Sequence, residues 1–207
     1  MSEQNDQEHS EWDIDNLPNR LTFVRMFLIP VIIFCLYLTL LDLEWIESWK
    51  STLGWIAGWT FTAASITDFL DGYIARKRNI ITNFGSFLDP VADKFLVVSS
   101  LLLLQALGRI PVLIVIILVL REFYITSLRL LAKEKNLQVP VGKMGKWKTA
   151  IQMIGIPLLM AYEYPFGIPF PLLGNIAIYI ASILSLYSAL EYSLGLIKKI
   201  KAIKNSK

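Results

Sequence analysis

Cysteine and histidine are almost absent from this chain of 207 residues, which has one of each, and charged side chains make up only 18% of it. The single cysteine, Cys35, excludes an internal disulfide and any cysteine-based metal site. The single histidine, His9, lies in a polar leader, so chemistry resting on a histidine pair or a membrane-embedded histidine is excluded. A soluble domain carries about 25% charged residues. Depletion to 18%, with 55% hydrophobic residues and a mean hydropathy of +0.52, excludes an ordinary water-soluble fold. No GxxxxGK[ST] loop is present, so a P-loop nucleotide site is excluded as well. Nothing in the pattern points to nucleic acid. Residues 1–19 lack a basic n-region and a small-residue cleavage site, so they do not read as a cleavable signal peptide.

What the chain does have is apolar sequence in blocks near the length that a helix needs to cross about 30 Å of hydrocarbon, roughly 20 residues. Six blocks are read at about 20–41, 51–75, 85–107, 110–132, 147–162 and 172–197. The expectation is an all-α polytopic membrane protein with six transmembrane helices and a cytoplasm-facing site. Residues 1–19 form a polar leader, 20–197 the membrane domain and 198–207 a basic tail. Lys and Arg crowd one set of connections: Arg76, Lys77 and Arg78, then Lys133, Lys135, Lys143, Lys146 and Lys148, then the tail from Lys198. The opposite connections are poor in both. By the positive-inside rule, both termini are cytoplasmic in a multi-pass cell-membrane protein.

Four acids stand where the second and third blocks approach the basic side. Asp68 and Asp71 are i and i+3, and Asp89 and Asp93 are i and i+4, so each pair shares one helix face. Four carboxylates directed at one partly dehydrated volume repel each other strongly and require positive charge between them. Hard divalent cations, Mg²⁺ or Mn²⁺, suit an all-carboxylate site and commonly act on phosphate substrates. Acids inside a membrane are expensive and usually functional, whereas a capping or ion-pairing role would account for one of them but not for four in matched pairs. Gly72, Ala75 and Gly85 are small residues that let a ligand approach the backbone or two helices pack, and Arg76 can hold a phosphate bidentately or anchor the helix end.

Taken together, Asp68-x2-Asp71-Gly72-x2-Ala75-Arg76-x8-Gly85-x3-Asp89-x3-Asp93 resembles the signature of the CDP-alcohol phosphatidyltransferase family at every fixed position. The resemblance implies displacement of CMP from a CDP-linked lipid by an alcohol at a site with two divalent ions. It implies Asp68, Asp71 and Asp89 as metal ligands, Asp93 as ligand and general base, and Gly72, Ala75, Arg76 and Gly85 as the CDP pocket. It also implies a homodimer in the lipid bilayer.

The fourth block carries Arg121, Glu122 and Arg129, and the next segment carries Lys143, Lys146 and Lys148. Such a basic cluster suits an anionic acceptor, although each lysine alone also fits a positive-inside loop. The pattern Arg121-Glu122-x6-Arg129 followed by Gly145-Lys146-x-Lys148-Thr149 resembles the phosphatidylglycerophosphate synthase branch, as does the opening Asn16-Leu-Pro-Asn-Arg-Leu-Thr-Phe-Val-Arg25. That branch implies CDP-diacylglycerol as donor and sn-glycerol 3-phosphate as acceptor, bound by Arg121, Arg129, Lys143, Lys146 and Lys148. Serine, inositol phosphate and phosphatidylglycerol are the competing acceptors within the family. A cation carrier is the competing class, and it would spread acids over several helices at mid-membrane depth. In the second block, Gly54 and Gly58 form a GxxxG face expected to pack within the fold.

Overall fold

The computed structural model describes residues 17–41, 43–78, 83–134, 137 and 142–205. The side chains of 17–21, 70–78, 83–89 and 203–205 lie outside that description. The leader up to residue 16 lies outside it too, as do the side chains of Asp71, Gly72, Ala75, Arg76, Gly85 and Asp89.

Among the described residues every element is helical. The α-helices are α1 (Leu17–Leu40), α2 (Glu44–Glu47), α3 (Lys50–Arg78), α4 (Asn83–Ala106), α5 (Val112–Glu134), α6 (Lys143–Ala161) and α7 (Phe170–Asn205), with a 3₁₀ turn at Pro165–Gly167 before α7. Each of the six apolar blocks is one long helix, and α2 is a short extra turn in the connection after α1. Among the described residues, two helices are long and apolar enough to cross a membrane by length and composition, over Thr22–Leu40 and Phe170–Ala202. At a rise of 1.5 Å per residue, the 29 residues of α3 extend about 44 Å. That is longer than the hydrocarbon core, so the aspartate end of α3 has room to reach the interface.

The chain divides into two compact units, residues 1–107 with 160–162, and residues 108–159 with 163–207. In the first, α1 packs along α3 and α4. The buried positions recur at helical spacing: Ile29, Ile32 and Leu36 on α1, Ala57, Phe61 and Ala64 on α3, and Val97, Leu101 and Leu104 on α4. Gly54 lies against the backbone of the last turn of α6, where an added methyl group would come within 2.6 Å of Met160 O. The first glycine of the GxxxG pair therefore serves a contact inside the chain, as expected.

In the second unit α5 packs against α7, and α5 buries Val115, Leu118, Arg121, Ile125 and Ala132 along one stripe. On α7 the buried residues are Ile178, Ala181, Ser182, Ser185, Ser188, Ala189 and Tyr192, of which Ser185 and Ser188 meet Arg121 and Ala189 and Tyr192 cluster with Ile125. Small residues here let the helices approach closely. Outside these stripes, large apolar side chains such as Phe27, Phe34, Trp59 and Ile183 are exposed, a surface that suits lipid and not water.

Candidate active site

The aspartate signature occupies the end of α3 and the start of α4. Asp68 and Asp71 belong to one uninterrupted helix, and Asp89 and Asp93 to the next. Of the four side chains, those of Asp68 and Asp93 are described, and both are partly exposed. Among the described residues no three His, Cys, Asp or Glu gather into a metal-binding group; the other two aspartates of the signature lie outside the described side chains.

Asp68 is held by a residue that composition and spacing do not single out. Arg25 Nη1 lies 2.7 Å from Asp68 Oδ1, with the arginine side chain fully buried and the aspartate 40% exposed. A guanidinium inside an apolar helix bundle is costly without a carboxylate partner. Arg25 thus ties α1 to the aspartate end of α3 and fixes one carboxylate. A signal for it exists in the sequence, since an arginine inside the first apolar block is as expensive as the aspartates are. The donor set fits a divalent ion in kind, because carboxylate oxygens that are accessible and held in place are ligands for Mg²⁺ or Mn²⁺.

The second unit gathers part of the basic cluster. Arg121 is buried and donates from Nε to Ser185 O at 3.2 Å and from Nη2 to Ser188 Oγ at 3.1 Å. Its Nη1 lies 3.3 Å from Glu122 Oε1, and the same oxygen pairs with Lys148, which is also buried. Arg121 and Lys148 are thus brought to one carboxylate. Lys143 and Lys146 are exposed, and Arg129 sits 5.9 Å from the Tyr192 ring centroid. The selection follows from helical period: on α6 the buried face returns at Gly145, Lys148 and Gln152, so Lys143 and Lys146 point elsewhere.

A family profile described as CDP-alcohol phosphatidyltransferase matches residues 15–187. The chain belongs to the CDP-alcohol phosphatidyltransferase family. It is accordingly a transferase. It is 37% identical over 183 residues to the CDP-diacylglycerol–glycerol-3-phosphate 3-phosphatidyltransferase of Bacillus subtilis (strain 168), covering 86% of this chain and 93% of that one. The protein of the same name from Rickettsia felis is 35% identical over 178 residues, covering 86% and 93%. An Arabidopsis thaliana protein, CDP-diacylglycerol–glycerol-3-phosphate 3-phosphatidyltransferase 2, is 38% identical over 159 residues, covering 70% and 64%. The matched span of this phosphatidyltransferase contains Arg25, all four aspartates and the Arg121–Glu122–Lys148 cluster.

Proposed function

We propose that the protein transfers a phosphatidyl group from CDP-diacylglycerol to sn-glycerol 3-phosphate, forming phosphatidylglycerophosphate and releasing CMP. The observation that carries this reading is the complete aspartate signature on two consecutive helices, with relatives over most of the chain that bear the name of that activity. Asp68, Asp71, Asp89 and Asp93 would hold two Mg²⁺ or Mn²⁺ ions, which when bound supply charge neutralisation at the reacting phosphate. Gly72, Ala75, Arg76 and Gly85 would form the CDP pocket. Asp93 accepts the proton of the acceptor hydroxyl as its oxygen bonds to the phosphatidyl phosphorus and the bond from that phosphorus to CMP breaks. Arg121 and Lys148, two cations sharing Glu122, suit the acceptor's phosphate, with Arg129 on the same helix as Arg121, while the exposed Lys143 and Lys146 add only to the positive charge at the start of α6. An apolar groove of about 400 Å³ between α1 and α4 is lined by Met26, Ile29 and Ile33 and by Phe95, Val98 and Leu102, which suits a lipid donor.

The test is CMP release by the purified protein supplied with CDP-diacylglycerol and a panel of acceptors. Glycerol 3-phosphate should be used best, EDTA should abolish turnover, and Mg²⁺ or Mn²⁺ should restore it. Full activity in chelator, or preference for serine or inositol phosphate, would overturn the reading.

Six membrane spans with both termini and the site on the cytoplasmic side complete the proposal. Cysteines introduced at Glu47 and Tyr164 should be labelled from outside, and those at Asn79 and Asn205 only after permeabilisation. The native Cys35 is buried and should contribute little background. The opposite labelling pattern would invert the topology.

A further inference from the structure

Two buried polar atoms beside the basic cluster have no hydrogen-bond partner among the described residues: Gln152 Nε2 and Ser185 Oγ. Gln152 is 2% exposed and Ser185 fully buried. A buried donor left unpaired costs about 1–3 kcal/mol, and a membrane-embedded one has little bulk water to fall back on. Other serines of α7 satisfy themselves: Ser182 donates to Tyr179 O at 2.7 Å and Ser193 to Ala189 O at 2.7 Å. Ser188 receives Arg121 instead. Ser185 stands apart from all three.

Both atoms lie next to the charges already described. Gln152 follows Lys148 by one turn on the buried face of α6, a rise of about 6 Å. The backbone carbonyl of Ser185 is the one that Arg121 Nε binds. The α6–α7 contact is antiparallel and close: a methyl group added at Gly155 would come within 3.0 Å of Ala177 Cβ, and one at Gly174 within 2.7 Å of Leu159 Cγ. Continuing that register toward the start of α6 sets Gln152 beside the Ala181–Ser182 level of α7 and Lys148 beside Ser185. The two orphan groups therefore flank the cationic cluster on neighbouring helices.

We infer that Gln152 and Ser185 read a hydroxyl of the acceptor other than the one that attacks, and so set acceptor specificity. The inference rests on the reading of Arg121 and Lys148 as the acceptor's phosphate site. A three-carbon phosphorylated polyol bound there has its middle hydroxyl within a turn of the phosphate, where a carboxamide N–H and a serine hydroxyl can meet it. A site built to pair a substrate hydroxyl rejects the analogue that lacks it, because its own polar groups are then left unsatisfied.

The experiment compares sn-glycerol 3-phosphate with 3-hydroxypropyl phosphate, which keeps the phosphate and a primary hydroxyl at the same spacing but lacks the middle hydroxyl. The full-length protein in lipid nanodiscs should prefer glycerol 3-phosphate by at least about tenfold in kcat/KM. Gln152→Met should raise KM for glycerol 3-phosphate about tenfold while changing KM for the analogue by less than about twofold, so that the preference collapses. Ser185→Ala should act in the same direction, and it decides the matter if Gln152→Met does not fold. Equal losses with both acceptors would make these residues packing elements and overturn the inference, as would an unchanged preference. A wild-type protein that uses neither phosphorylated acceptor but does use an unphosphorylated alcohol would overturn the phosphate-site reading itself.

Discussion

Asp93→Asn should lower kcat by on the order of 10²–10⁴ for every acceptor, the usual cost of removing a positioned general base. The substitution keeps the side chain's shape and removes its charge and its capacity to take a proton. It leaves untouched the neighbours that anchor this turn of α4: Ala92 and Leu96 are buried on the adjoining face, and Asp93 itself is only partly buried. Helicity and chromatographic behaviour should therefore match those of the parent protein while CMP release collapses. The loss should not depend on the acceptor, because the proton removed is common to all alcohols, whereas changes at Gln152 should discriminate between acceptors. A kcat within about tenfold of the parent's would place the base elsewhere and reduce Asp93 to one ligand among four.

The helices are legible from apolar blocks because each block is long and its ends carry charge or Gly and Pro; the short turn α2 is not, since so short a helix leaves no periodic signal. The four aspartates are legible because acids in an apolar setting are rare, and Arg25 satisfies the same criterion. Its role stays hidden in the sequence because its partner, Asp68, is on a different helix, and pairing across helices is invisible to spacing along one. For the basic cluster, composition names five cations and helical period separates them: Arg121 and Lys148 meet at Glu122, while Lys143 and Lys146 lie on the exposed part of α6. Gln152 carries no signal at all in sequence, since a neutral amide in an apolar helix becomes informative only when its burial and its lack of partner are known.

Asp68→Asn should cost both metal affinity and stability, and a second change at Arg25 should return only the stability. Arg25 is fully buried and its carboxylate partner lies 2.7 Å away. Breaking a buried pair from one side costs about 3–5 kcal/mol; with Asp68 40% exposed, solvent screening lowers the expected figure to about 1–3 kcal/mol. For a chain of this size that is several degrees in Tm, at roughly 2–4 °C per kcal/mol. Replacing the stranded guanidinium by an apolar side chain of similar length removes the uncompensated charge, so Arg25→Met combined with Asp68→Asn should unfold near the parent's Tm. Mn²⁺ affinity and CMP release should stay low in the double variant, because the ligand is still missing. Thermal unfolding in EDTA isolates the first effect, and Mn²⁺ titration followed by electron paramagnetic resonance isolates the second. A double variant as unstable as Asp68→Asn alone would mean that the ion pair is not what stabilises the junction of α1 and α3. Undiminished Mn²⁺ affinity in Asp68→Asn would remove Asp68 from the ligand set and leave it a purely structural partner of Arg25.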